Sequence, residues 1–188
     1  MITLDQLSRV AIVGTSYSGK TTLATSLADV LAVPRIELDA HYWGPNWTPR
    51  PTETFRESVD RATAASRWIC DGNYRVVRDL VWQRATAVVW LDYTFPLVFR
   101  RALRRTLSRC TSGARLYSDN RETFRKAFLS SDSILLWVCQ SYWRNRRKIP
   151  DDFRQPEHGN LHVVRLTSPG ATSRFLGQVG EIAAGNGQ

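Results

Sequence analysis

The sequence predicts an α/β fold in three layers: a five-stranded parallel sheet with helices packed on both faces. Three observations carry that reading. Short apolar runs alternate with segments of helical period along the chain. One of those runs, TAVVWLD at residues 86–92, has little polar alternation, as expected of a strand covered on both sides. Residues 8–14, SRVAIVG, end in glycine and lead through a short turn into a helical segment, the start of a crossover. At 188 residues and 43% hydrophobic content the chain suits one core, so residues 1–188 are expected to form a single domain.

The elements follow in order. Strand one is residues 8–14. The helix after it carries Leu23, Leu27, Val30 and Leu31 at helical spacing, and Pro34 stops it. PRIELD, residues 34–39, reads as strand two. An aromatic loop, HYWGPNWTPRP, is punctuated by Pro45, Pro49 and Pro51. Thr52, with Glu53 and Phe55, opens a helix that runs to about Ser66. WICD, residues 68–71, is strand three and ends at Gly72; a short helical piece over 76–84 leads to strand four. Pro96 sits in the first turn of a long helix, where proline is tolerated. Residues 121–148 read as mostly helical, with Phe124, Phe128, Leu135, Val138 and Tyr142 on one face. LHVVRLT, residues 161–167, is strand five, and residues 171–184 form the last helix. The connections should be right-handed crossovers.

Composition narrows the function classes. Eleven glycines and eight prolines are too few for a disordered chain. No apolar run approaches the roughly 18 to 20 residues that span a bilayer. The start, MITLDQLSRV, has no signal-peptide pattern. Cys70, Cys110 and Cys139 are odd in number and far apart, with neither zinc spacing nor a disulfide framework. A cytoplasmic protein without membrane association is expected.

The net charge of +9 is concentrated in one place: residues 96–150 hold 13 basic and 3 acidic side chains. Its partner should be anionic, either nucleotide phosphates, a nucleic acid or an acidic surface. Lys20, Lys126 and Lys148 are the lysines; the other basic residues are arginines, whose planar fork grips phosphate oxygens in pairs.

The strongest signal is local. Gly14-Thr15-Ser16-Tyr17-Ser18-Gly19-Lys20-Thr21 matches the phosphate-binding loop G-x-x-x-x-G-K-[ST] in full, between a strand and a helix. The glycines let backbone N–H groups turn inward onto phosphate oxygens. The helix N-terminus near Lys20 adds a positive dipole end. Lys20 is expected to reach the β- and γ-phosphates of ATP, and the Thr21 hydroxyl to ligate Mg²⁺, with Thr22 completing the nucleotide site. A second Mg²⁺ anchor should be an aspartate at the end of an apolar strand. Asp71 and Asp92 both qualify. Asp71 is favoured because Gly72 leaves its carboxylate at the open strand end, where ligands bind in such sheets.

With the loop go Leu38-Asp39 before His41-Tyr42-Trp43, Trp68-Ile69-Cys70-Asp71-Gly72-Asn73-Tyr74, and Leu91-Asp92 leading into Arg100-Arg101 and Arg104-Arg105. In that order, over residues 8–168, they resemble the adenylate-kinase-like P-loop kinases, most closely those named topology modulation proteins. The resemblance implies a P-loop NTPase fold with sheet order 2-3-1-4-5, an acceptor site between strands two and three, and an Arg-rich helical lid inserted at about residues 100–150. It also implies that Asp71 holds Mg²⁺ through water and that Arg75 grips an acceptor phosphate. Asn73 and Tyr74 replace the Phe-Pro of adenylate kinases, and the pattern those enzymes use for AMP is not clear between residues 40 and 67.

Phosphoryl transfer needs positioning, charge neutralisation and exclusion of water. Arg101 with Arg105, and likewise Arg100 with Arg104, stand one helical turn apart, with Phe99, Leu103 and Leu107 opposite. Arg101 and Arg105 are the pair assigned to the phosphates. Asp39, ending strand two, either orients an acceptor hydroxyl or caps the loop that follows. His41 either assists or is merely solvated. Tyr42, Trp43 and Trp47 form an acceptor wall or cover the sheet end, and Ser168 and Pro169 border the adenine. Trp137 and Trp143 are expected to pack inside. Arg144, Arg146, Arg147 and Lys148 read as a solvated helix end or as a nucleic-acid contact.

The sequence therefore predicts a kinase, a monomer or weak dimer, that moves the γ-phosphate of Mg-ATP to a small-molecule or nucleotide acceptor. Its site is Lys20, Thr21, Asp71, Asp39, Arg101 and Arg105, with Tyr42, Trp43, Asn73 and Arg75 around the acceptor. The alternatives are an ATP-dependent nucleic-acid-associated regulator and a plain ATPase.

Overall fold

The computed structural model describes residues 2–112, 134–155, 158–159 and 161–185, without the side chains of 109–112 and 134–135. The strands are β1 (Arg9–Gly14), β2 (Arg35–Glu37), β3 (Trp68–Asp71), β4 (Ala87–Leu91) and β5 (His162–Leu166). They form one sheet in the order β2-β3-β1-β4-β5, parallel throughout. The helices are α1 (Lys20–Leu31), α2 (Leu38–Tyr42), α3 (Thr52–Ala62), α4 (Arg78–Arg84), α5 (Phe95–Ser112), α6 (Ile134–Phe153) and α7 (Pro169–Gly185). Much of the expected lid, with Phe124 and Phe128, lies outside the described residues.

Strand alternation divides the core into two. Val10, Ile12, Ile69, Val89 and Leu91 point to one face, against Leu23 and Leu27 of α1, Val98 and Ala102 of α5, Val138 and Tyr142 of α6, and Phe175 and Val179 of α7. Ala11, Val13, Trp68, Cys70, Val88 and Trp90 point to the other, against Phe55 and Val59 of α3, Val81 and Trp82 of α4, and Ile149 of α6. Both faces are apolar, which is why the central strands show no polar alternation in sequence.

Four expectations are corrected. β2 stops at Glu37, so Asp39 lies not at a strand end but in the first turn of α2. The buried side of α5 is Val98, Ala102 and Thr106, while Leu107 is 42% exposed. Small side chains let α5 approach its neighbours, and close approach outweighs the greater hydrophobicity of leucine. α6 continues through Pro150 to Phe153 rather than stopping at 148. Trp137 and Trp143 are 47% and 54% exposed instead of packed inside; Arg144 lies over the Trp137 ring at 4.8 Å, and Trp143 stacks on Phe95.

Candidate active site

β1 delivers the phosphate loop to the carboxyl end of the sheet. Gly14 has φ +152, and a Cβ there would stand 2.8 Å from the Leu91 carbonyl oxygen and 2.9 Å from Ser18 Oγ. The turn thus depends on glycine. Inside it, the Ser18 N–H donates to the Thr15 carbonyl at 3.1 Å. Thr15 and Ser18 are buried, Ser16, Tyr17, Gly19, Lys20 and Thr21 are half-buried, and Thr22 is exposed. Lys20 Nζ donates to the Thr15 carbonyl at 3.2 Å, which folds the lysine back over the loop. Burial lowers its pKa, while the charges of Asp39 and Asp71 oppose that shift. Lys20 is therefore not the freely exposed charge its loop position implies.

Asp71 meets this loop through strand register. Ile12 pairs with Asp71 across β1 and β3, and the Gly72 N–H donates to the Ile12 carbonyl. Thr21 Oγ1 donates to Asp71 Oδ2 at 2.8 Å. Asp71 Oδ1 is buried without a hydrogen-bond partner, and the Arg35 guanidinium stands 3.6 Å from it. Burial raises the Asp71 pKa; the Thr21 hydrogen bond, Lys20 and Arg35 pull it down, and Glu37 adds to the rise.

Asp92 has a different environment. Arg165 donates to Asp92 Oδ2 through Nε at 2.9 Å and also through Nη2, and Arg146 Nε is 3.5 Å from Oδ1. Its own N–H donates to the Leu166 carbonyl. It ties β4 to β5 and α6, and two guanidiniums already balance its charge. The partners lie far along the chain, so no local pattern announces them.

On the α5 side, Arg101 Nη1 donates to the Ser18 carbonyl at 2.8 Å, and its guanidinium lies 5.2 Å over the Tyr93 ring. Tyr93 is itself fixed, with its hydroxyl 2.6 Å from Thr172 Oγ1 and its carbonyl accepting from the Tyr142 hydroxyl. Sequence reasoning missed Tyr93 and Arg35, because neither belongs to a spaced motif. Arg100, Arg104 and Arg105 are exposed and do not share the Arg101 contact. Ser168 caps α7, its Oγ accepting from the Ala171 N–H at 3.2 Å, and Pro169 begins that helix.

The acceptor side is built around Asp39. Tyr74 donates its hydroxyl to Asp39 Oδ1 at 2.5 Å. Burial and the Asp39 charge push the Tyr74 pKa far up, so the phenol keeps its proton. The Tyr42 ring lies 4.5 Å from that of Tyr74, 4.8 Å from Trp43 and 5.2 Å from Phe55. Trp43 meets Trp47 edge-on at 5.5 Å. The Pro-rich loop folds back on itself through a bridge between Trp43 and Pro49. Gly72, at φ +149, lets β3 leave against α2; a Cβ there would stand 2.6 Å from Leu38 Cβ.

Three expected site residues have contacts beyond this group, although Asn73 also lines a small cavity with Leu38, Gly72 and Tyr74. His41 Nδ1 is 2.6 Å from Ser58 Oγ, an anchor to α3. Asn73 Oδ1 accepts from Arg78 Nη2 at 2.9 Å. Arg75 is exposed and lines a separate cleft with Arg78, Asp79, Gln83, Asp152 and His158.

Solved structures share this architecture. A shikimate kinase from Acinetobacter baumannii, in complex with shikimate, superposes with a TM-score of 0.54 at 18% identity, covering 97% of this chain and 96% of its own. A shikimate kinase from Bacteroides thetaiotaomicron gives 0.56 at 13% identity, with 94% and 98% covered. A gluconokinase from Sinorhizobium meliloti gives 0.52 at 15%, with 95% and 92% covered. The chain has the P-loop kinase fold. No protein-family model and no curated protein matches the sequence. Within this fold, Thr21 is bonded to Asp71 and Tyr74 to Asp39, and the charges of both aspartates act on Lys20.

Proposed function

We propose that the protein is an ATP-dependent kinase that transfers the γ-phosphate of ATP to a hydroxyl of a small molecule. The observation that carries this reading is the complete phosphate loop with Lys20 folded over it and Thr21 Oγ1 bonded to Asp71 Oδ2 at 2.8 Å. In this reading Asp71 serves the nucleotide and Asp39 the acceptor, and the charges of both act on Lys20.

The residues fit a magnesium-bound nucleotide. Mg²⁺ takes one or two protein ligands and completes its shell with water and phosphate oxygens. Thr21 Oγ1 and Asp71 Oδ1, which accepts no hydrogen bond from the described residues and has Arg35 at 3.6 Å, supply such a pair. Asp92, balanced by Arg165 and Arg146, does not. The ion, when bound, would supply positive charge that offsets the charge developing on the transferred phosphoryl group.

This chain's own groups do the rest. The loop N–H groups and Lys20 cradle the phosphates, and Lys20 trades its Thr15 carbonyl for a phosphate oxygen. Asp39 Oδ2 orients the acceptor hydroxyl and takes its proton as the oxygen attacks. A bond forms from that oxygen to the γ-phosphorus while the bond to the β–γ bridging oxygen breaks. ADP leaves, and the proton passes from Asp39 to water. Tyr74 holds Asp39 in one rotamer throughout. Arg101, anchored at Ser18, adds positive charge at the edge of the loop.

Coupled detection of ADP tests the reading. ATP consumption should rise with an acceptor present, and phosphate should appear on that acceptor. Equal ATP consumption with and without acceptors points instead to a plain ATPase.

A further inference from the structure

We propose that the acceptor is a neutral, polyhydroxylated ring: the chemistry shared by a free sugar or cyclitol and by the ribose of a nucleoside. This rests on the kinase reading and names the substrate class of its acceptor site.

Among the described residues, the cations near that site are mostly engaged already. A carboxylate or phosphate on the acceptor would need a guanidinium with open donors. Arg35 is paired with Glu37 at 3.0 Å and with Asp71 at 3.6 Å. Arg56 holds Asp79 through two nitrogens, at 2.9 and 2.7 Å, and also donates to the Val76 carbonyl. Arg78 is bonded to Asp152 and Asn73 and lies over the Trp82 ring. Arg50 is exposed, and its charge acts on His41. Arg75 faces the separate cleft beside α4. Lys20, the cation beside Asp39, is committed to ATP phosphates in the kinase reading.

What the site offers is suited to hydroxyls. Asp39 repels an anion but accepts from an O–H, and Tyr74 takes only its Oδ1. The Tyr74 oxygen also accepts a hydrogen bond from Trp43, which ties the aromatic loop to Asp39. Beside them stand the half-buried rings of Tyr42, Trp43 and Trp47. Aromatic faces cover the C–H side of a sugar ring or stack on a base, and neither contact requires charge. The reaction is the one balanced above, with the ring hydroxyl as the attacking oxygen.

The test measures ADP formation by the full chain with three acceptor sets at equal concentration. One holds neutral sugars and cyclitols, and one holds nucleosides. The third holds aldonic acids, uronic acids, hydroxy-carboxylates and nucleoside monophosphates. Turnover with the first or second set should exceed the third by about tenfold or more in kcat/KM, and the set that responds identifies the source of the ring. Turnover confined to the acidic set overturns the inference and leaves the kinase reading standing. Acceptor-independent ATP consumption in all three sets overturns the kinase reading and the inference with it. A variant series adds a second readout. Trp43→Ala should raise the acceptor KM about tenfold while the ATP KM stays within about twofold, and Trp43→Phe should recover most of the loss. Acceptor KM values equal in wild type, Trp43→Ala and Trp43→Phe contradict the aromatic wall.

Discussion

Thr21 Oγ1 donates a 2.8 Å hydrogen bond to Asp71 Oδ2, joining the first turn of α1 to the end of β3. Asp92, at the end of the neighbouring strand β4, is engaged instead by Arg165 and Arg146. Two strand-end aspartates thus have separable roles. Asp71→Asn should weaken the Mg²⁺ dependence of ATP binding by about tenfold or more with the fold intact, because it removes a charge that burial disfavours. Asp92→Asn should keep the Mg²⁺ response and cost about 1–3 kcal/mol of stability, since two guanidiniums lose their counter-charge. Titrations of ATP with and without Mg²⁺, paired with denaturant unfolding, read both effects. Loss of the Mg²⁺ response in Asp92→Asn alone would reverse the assignment.

Gly72 is the hinge between the two halves of the site. Its φ of +149 and the 2.6 Å approach of a would-be Cβ to Leu38 leave no room for alanine. Gly72→Ala should cost about 2 kcal/mol or more and displace the start of α2, where Asp39 stands. The acceptor KM should rise more than the ATP KM. Unchanged stability together with unchanged acceptor KM rules out this packing argument.

Much of this was legible in sequence. The phosphate loop is a local pattern of four fixed residue types, and it was found where it lies. The sheet order came from the family resemblance, and the register then brought Asp71 to Thr21. The misplacements have physical causes. Leu38-Asp39 continues the apolar–polar alternation of Ile36-Glu37 and reads as strand, but the chain turns helical after Glu37 without a proline or cap to mark the change. On α5 the sequence pointed to Phe99, Leu103 and Leu107, whereas Ala102 and Thr106 are the buried contacts. Helical period gives a face, but close packing selects small residues. The partners of Asp92 and the Tyr93 support for Arg101 arise from tertiary contacts that no spacing encodes.

Arg101 and Arg105 were indistinguishable by spacing, and the structure separates them. Arg101 is bound to Ser18 and stacked on Tyr93, while Arg105 is exposed. Arg101→Ala should reduce kcat about tenfold or more, and Arg101→Lys should restore little, since a lysine lacks the planar fork that both bonds and stacks. Arg105→Ala should have the smaller effect. Steady-state kinetics of the three variants decide it, and equal losses at both positions contradict the distinction.

His41 sets an acid limit on stability. Burial, aided by Arg50, holds its pKa below the ordinary 6.5, while its Nδ1 stays against Ser58. As pH falls below about 6.5 the unfolded chain binds the proton first, so stability drops from there down to the folded pKa and is insensitive to His41 above that window. His41→Asn should flatten the fall in melting temperature below about pH 6.5 relative to wild type. Parallel pH profiles for the two proteins contradict a half-buried, neutral histidine.

The most direct test of the central claim is ATP binding by Lys20→Ala, measured calorimetrically with Mg²⁺ and compared with wild type. Lys20 opens α1 at the end of the phosphate loop and belongs to neither core cluster, and its burial works against its charge. The account predicts that affinity falls by about a hundredfold or more while the melting temperature stays within about 2 °C. Wild-type affinity for Mg-ATP in a folded Lys20→Ala protein would contradict it.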